Sequence, residues 1–292
     1  MRNNRTLICT LAQDEVIYFM EEQNTRFNKE KCELVEEIYQ QIYCKFREQY
    51  NVVFLCGGAS NRGYKSLRDK VRTLLENEKK TLWYKPFKIF YPEDLLIEVL
   101  NKTKDADLLS YEQFLANNSH VIVIICESAG SLVELGAFTN NEYTVDKVIA
   151  AVDKNLAKHK SFIMLGPIKY LKKRNKLNVI EYGQDEVDFA KRLSRNIREK
   201  NKLSSNKNSM IDLTTIVGMH YFIQLLLYFF KSLNSQELVA IIGYISDKEK
   251  IAYADFKILF NAALKLLFQD KKIVKITGEQ YSSCLLYTSP SP

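Results

Sequence analysis

Acidic residues and hydroxyls stand where the apolar runs of this sequence stop. In His120–Phe138, HVIVIICESAGSLVELGAF, the run Val121–Cys126 is long enough for a strand buried on both faces and too short for a helix. Glu127, Ser128, Ala129, Gly130 and Ser131 follow at once. A carboxylate, two hydroxyls and a permissive backbone therefore fall just past the strand's carboxyl end, where open α/β sheets hold their ligands. Leu132, Val133, Leu135, Gly136 and Phe138 then supply the packing positions of a helix, with Glu134 one turn in. Two roles compete for Glu134. Ser131-x-x-Glu134 fits a capping box, in which the Glu returns the hydrogen bond of the Ser cap, and the helix dipole favours a carboxylate in the first turn. The alternative is a carboxylate that looks back across the crevice at a bound molecule.

A second such place is Gly57-Gly58-Ala59-Ser60-Asn61-Arg62-Gly63, between the apolar run Val52–Cys56 and a helix predicted over 66–78. Small residues ahead of a helix let backbone N–H groups approach an anion, so Gly57, Gly58 and Ser60 are candidates for holding phosphates, together with the helix start at Gly130-Ser131. The pattern is neither GxGxxG nor a P-loop, and a tight strand-to-helix turn would look the same. The third place is Tyr91-Pro92-Glu93-Asp94. There the proline stops a strand predicted over 88–91 and the two acids open a helix.

The 292 residues, 46% hydrophobic and 26% charged, suffice for two domains with buried cores. No basic stretch followed by an apolar run and a small-residue cleavage site stands at residues 1–30, so no secretory leader is expected. The longest apolar run, Met219–Phe230, is broken by His220 and Gln224 and falls short of the roughly 20 residues a membrane span needs, so no membrane partner is expected. The six cysteines include no CxxC and read as reduced core residues of a cytoplasmic protein. His120, His159 and His220 lie far apart, so no metal catalysis is expected and no cofactor is called for. Charge is uneven: between Lys154 and Asn208 fifteen Lys or Arg stand against five Asp or Glu. That excess marks either an anionic partner such as nucleic acid or solvated helix faces.

Helical spacing is predicted over 12–24 and 28–48, where Val35, Ile38, Tyr39, Ile42, Tyr43 and Phe46 form one stripe. Strands over 52–56, 88–91, 121–126, 147–152 and 179–182 alternate with helices over 66–78, 93–100, 108–117, 131–138 and 185–202. A turn is expected at Gly166-Pro167, and Val187, Ala190, Leu193 and Ile197 share the apolar face of the last helix. Alternation of this kind implies a parallel sheet with right-handed crossovers, an α/β, flavodoxin-like layout. The Asn-, Ser- and Lys-rich stretch 201–209 reads as a linker. Helices over 213–233 and 253–268 flank the segment 235–244, and strands follow near 273–277 and 279–281, the outline of a winged helix. The helix over 253–268 has few basic residues for reading a major groove. The expected domains are a helical extension (1–50), a catalytic domain (51–202) and a winged-helix-like, mostly helical domain (203–283). The tail CLLYTSPSP (284–292) continues no pattern and reads as translated adapter sequence, which would put the natural C-terminus elsewhere.

Several motifs in order resemble a known family. Phe54-Leu55-Cys56-Gly57-Gly58, Arg68-Asp69, Tyr91-Pro92-Glu93-Asp94, Glu127-Ser128-x-Gly130-Ser131-x-x-Glu134-Leu135-Gly136-Ala137-Phe138 and Ser161-Phe162-Ile163-x-x-Gly166-Pro167-Ile168 are similar to the effector proteins of bacterial retron antiphage systems. The type resembled carries a nucleoside 2-deoxyribosyltransferase-like domain and a C-terminal winged helix, and the likeness spans most of residues 50–282. Ala129 departs from it where proline is expected. The resemblance implies a toxic N-glycosidase acting on a cellular nucleotide, NAD first, with Glu134 as nucleophile because it occupies the Glu-Leu-Gly position. A carboxylate near C1′ can trap the sugar or stabilise an oxocarbenium-like state, and a second acid protonates or polarises the departing base, or holds the ribose hydroxyls. Glu127, Asp94, Glu93 and Glu112 are the candidates for that acid, with Tyr91, Ser128, Gly130 and Ser131 as substrate contacts.

The implied partners are a retron reverse transcriptase and its RNA–DNA hybrid (msDNA), which would hold the enzyme inactive, and a higher-order assembly. The competing class is a non-catalytic nucleotide sensor fused to a DNA-binding winged helix, with Glu134 only capping.

Overall fold

Five apolar segments pair into one parallel sheet. The computed structural model describes residues 29–46, 50–78, 85–93, 118–204, 212–251, 256–277 and 282–286, and these fall into two units, one built from residues 48–211 and the other from 1–47 with 212–292.

The larger unit runs β1 (Asn51–Cys56), α2 (Leu67–Glu76), β2 (Phe87–Phe90), β3 (Val121–Ile125), α3 (Ala129–Asn140), β4 (Val148–Asp153), α4 (Lys169–Arg174), β5 (Val179–Tyr182) and α5 (Glu186–Ser204); α1 (Lys29–Glu37) belongs to the other unit. Sheet order is β2-β1-β3-β4-β5, every neighbouring pair parallel. This α/β arrangement is consistent with a flavodoxin-like fold, and the order reverses between β1 and β3, which opens a crevice outside their carboxyl ends. β1 and β3 are buried at every position. β-branched and aliphatic runs fit such a sheet because helices cover both faces. Val53, Leu55, Val123, Ile149, Phe189, Leu193 and Ile197 share its core.

Several sequence expectations need correction. Gly166-Pro167 is not a turn: it lies in a π-helical stretch (Met164–Ile168) that runs on into α4. A wide helical turn tolerates the proline, which has no N–H to give. α5 buries Phe189, Ala190, Leu193 and Ile197, whereas Val187 is 49% exposed, and the helix continues through residues 201–204 of the expected linker. The expected helices over 12–24 and 108–117 lie outside the described residues, as does 94–100 of the helix opened by Pro92-Glu93.

In the second unit α1 passes through a π stretch (Ile38–Tyr43) into a last turn (Cys44–Phe46). Tyr39 and Tyr43 from this helix pack edge-on against Phe222 of α6 (Ile216–Phe230). β6 (Ser232–Asn234), α7 (Ser235–Lys248), α8 (Phe256–Gln269), β7 (Ile273–Thr277) and β8 (Ser282–Leu286) follow, and β8 lies between β6 and β7 in an antiparallel sheet. The short β6 was not expected. Leu233, read as helical, is its buried centre. The final strand falls at 282–286 rather than 279–281, and so takes in Cys284–Leu286 of the tail excluded above, while 279–281 lies outside the described residues. α7 and α8 both end with a lysine in the left-handed region, Lys250 (φ 55) and Lys271 (φ 53). The next N–H in each case returns to the helix, Ile251 to Ser246 and Lys272 to Leu267.

Candidate active site

The helix after β3 begins three residues earlier than the capping-box pattern implied. Ser128 is the N-cap of α3, its Oγ accepting the Ser131 N–H at 3.2 Å, while Ser131 Oγ accepts the Ser128 N–H at 3.1 Å. The box is therefore Ser128 with Ser131, and Ser131-x-x-Glu134 is not one. Ser128 wins the cap because its extended backbone (φ −142, ψ 161) suits that position. Glu134 is left on the second turn, free of any capping duty.

What surrounds Glu134 comes from three elements at the switch point. Among the described groups, the charges of Glu93, just past β2, and Arg68, on α2, act on it, with the Cys56 thiol at the end of β1 in hydrogen-bonding reach. Burial, reinforced by the Glu93 charge, pushes Glu134 up to about 7, against the opposing pull of Arg68 and Cys56. Cys56 is fully buried, and burial followed by the two glutamate charges raises its thiol well above the usual range. It therefore stays a neutral S–H and is no nucleophile.

Arg68 was quoted as part of a motif but given no role, and the structure makes it the hub. Its NH1 donates to Glu93 Oε1, its guanidinium lies 4.1 Å from the Tyr91 ring centroid, and its side chain is 6% exposed. Tyr91 is held through both its ring and its hydroxyl. Arg72 also packs on the ring, and the hydroxyl donates to Asp69. Asp69 takes a further hydroxyl from Ser60. Burial opposes its ionisation, but the Ser60 and Tyr91 hydrogen bonds and the Arg68 charge outweigh that and hold it below the usual carboxylate range. Ser60 also accepts the Ser66 N–H at 2.9 Å, so it closes the turn ahead of α2. An Arg-Asp pair on the first helix turn after a glycine loop was the sequence signal for this cluster.

Glu127 occupies the place expected for a phosphate. Its Oε1 accepts the Gly58 N–H at 3.0 Å and the Arg68 N–H at 3.3 Å, so a carboxylate of the protein takes two of the N–H groups at the β1–α2 turn. A Cβ on Gly57 (φ +157) would lie 3.1 Å from both Arg68 Cβ and Glu127 Oε1, which explains the glycine there. The structure thus gathers Gly57, Gly58, Ser60, Tyr91, Glu93 and Glu127 into one connected edge, with Ser128, Gly130 and Ser131 forming the start of α3 beside it. Asp94 and Glu112 lie outside the described residues. Among the described residues no group of three His, Cys, Asp or Glu could hold a metal ion.

The basic segment is partly consumed by the fold. Arg174 pairs with Asp146 at 2.7 Å, Arg198 with Glu78 at 2.6 Å, and buried Lys200 donates to Val148 O at 3.0 Å and to Asn178. Lys158, Lys160, Lys169, Lys173 and Lys176 remain exposed, as does Phe162 at 88%. No described helix is long and apolar enough to cross a membrane, and Cys32, Cys44, Cys56 and Cys126 are free thiols.

Comparison with known proteins gives the family. The sequence model of the STM3845 retron effector protein matches residues 64–275. A retron Ec86 protein of Escherichia coli, named as a candidate ribosyltransferase and DNA-binding protein, is 28% identical over 242 residues, 77% of this chain and 74% of its own. A retron Ec73 protein of the same organism and the same descriptive name is 32% identical over 120 residues, 40% of this chain and 36% of its own.

Proposed function

Because the chain belongs to the STM3845 retron effector protein family, we propose that it is the toxic effector of a retron antiphage system, and that its α/β unit cleaves the N-glycosidic bond of a nucleotide, NAD before others. The observation that carries this reading is Glu134: a half-buried carboxyl at the topological switch point that caps nothing, acted on by the opposing charges of Glu93 and Arg68 and raised to about 7. As C1′ loses the base it gains positive charge, and an ionised Glu134 stabilises or traps it; water then adds OH to C1′ and its proton passes to solvent, because the pyridinium nitrogen of NAD leaves as neutral nicotinamide. Glu93 is the described acid best placed to assist, since Glu127 is engaged by two backbone N–H groups. The descriptive names of the Escherichia coli relatives support glycosyl chemistry.

The C-terminal unit supports a second reading. The order α6-β6-α7-α8-β7-β8, with β8 between β6 and β7, fits a winged helix, and a nucleotide-sensing domain joined to a DNA-binding module would use it as a regulator. In the effector reading, that unit and the exposed lysines contact a reverse transcriptase and its RNA–DNA hybrid in the cytoplasm, through phosphate contacts that weaken with salt. Incubating the purified chain with NAD and with deoxynucleotides, and following free base by chromatography, separates the two. Nicotinamide release is expected; tight nucleotide binding with no base released from any of them would favour the sensor.

A further inference from the structure

A buried arginine that served packing alone would use its fork on one carboxylate with both edges satisfied. Arg68 does otherwise. NH1 donates to Glu93, while Nε is buried without a hydrogen bond, 3.8 Å from Asp69. The Tyr91 ring fixes the guanidinium plane from one side at 4.1 Å, and Tyr91 is itself locked through its hydroxyl to Asp69. The cation is thus held by Glu93 and Tyr91 beside Asp69, and its charge acts on Glu134.

We propose that Arg68 is the positioning residue of this cleft: paired with Glu93 and laid against Tyr91, it fixes one carboxylate in place and holds a positive charge against the second, Glu134. The role rests on Glu134 being the acting carboxylate. Among the described residues, the groups facing Glu134 are Glu93 from the end of β2, Arg68 from α2 and Cys56 from β1, and Glu93 and Arg68 act on it in opposite senses. Losing the arginine alone leaves Glu93 unneutralised beside Glu134, whereas losing both removes the repulsion with the attraction.

The test is a titration of Glu134 in the full chain, by the infrared band of its protonated carboxyl, assigned by difference against Glu134→Gln. The midpoint is expected at about 7 in the parent chain. In Arg68→Gln it should move up by about one pH unit or more. In Arg68→Gln/Glu93→Gln it should return toward the parent value, and Arg68→Lys, which keeps the charge without the fork, should lie between. A merely structural arginine would lower the melting temperature of Arg68→Gln with the midpoint unmoved. An unmoved midpoint, or a double variant no nearer the parent than the single one, overturns the proposal. If Arg68→Gln fails to fold, Glu93→Gln alone must lower the midpoint, and a constant value there overturns it equally. Because the titration needs no turnover, a chain that never cleaves NAD would defeat the functional reading while leaving this result to be read by itself.

Discussion

Ser128 and Ser131 cap α3 for each other, each hydroxyl accepting the other's backbone N–H. Ser131 is 1% exposed, so water cannot replace a lost partner. Ser131→Ala is expected to lower unfolding free energy by about 0.5–2 kcal/mol in urea denaturation. An unchanged denaturation midpoint would show that the reciprocal cap contributes nothing.

Glu127 ties the end of β3 to the β1–α2 turn through Gly58 and Arg68. Glu127→Ala should cost about 1–3 kcal/mol, because two N–H groups lose their acceptor, and Glu127→Gln should recover most of it by keeping a carbonyl oxygen there. Gly57→Ala should be worse than Gly58→Ala, whose added Cβ meets Glu127 only at 3.4 Å. Denaturation of the four variants checks both orders, and a reversed glycine order would mean that the turn is not packed on Glu127 as described.

Burial lowers Lys200 to about 8 from its ordinary 10.5. Between those values the unfolded chain binds more protons than the folded one, so this group makes stability rise with pH from about 8 to 10.5, and its charged form is a cost below that window. Lys200→Met should therefore flatten the difference in stability between pH 8 and pH 10, while losing the bonds to Val148 and Asn178 at either pH. A parent chain whose extra rise in that window is also present in Lys200→Met would contradict the assignment.

If ionised Glu134 is the acting form, cleavage of NAD should rise with pH through a midpoint near 7 and level off above it. The profile of kcat/KM reads this in the free protein. A rate that falls with pH through 7 would instead make Glu134 a proton donor.

The parallel sheet was legible because Val121–Ile125 and Val179–Tyr182 are short apolar runs bounded by polar turns, and a buried strand needs little else. The meaning of Glu134 was not. Ser128 and Ser131 are both competent caps three residues apart, and pattern alone cannot tell which one the backbone uses. Arg68 went unread for a different reason: its role depends on Glu93 and Tyr91, which the fold brings to it from the far side of β2. β6 was missed because Ser232–Asn234 is too short to show alternation and pairs with a strand some fifty residues on. Gly166-Pro167 misled because proline is a turn signal everywhere except in the irregular helix that holds it here.

Glu134→Gln tests the central claim most directly, with nicotinamide release from NAD and thermal melting measured on the same samples at pH 8. A carboxyl raised to about 7 by burial destabilises the fold once it ionises, since the unfolded chain ionises it from about 4.5. The neutral amide should therefore abolish turnover and raise the melting temperature, by an amount reflecting up to about 3 kcal/mol. Undiminished turnover, or a melting temperature lowered as by the loss of a cap, would contradict the account.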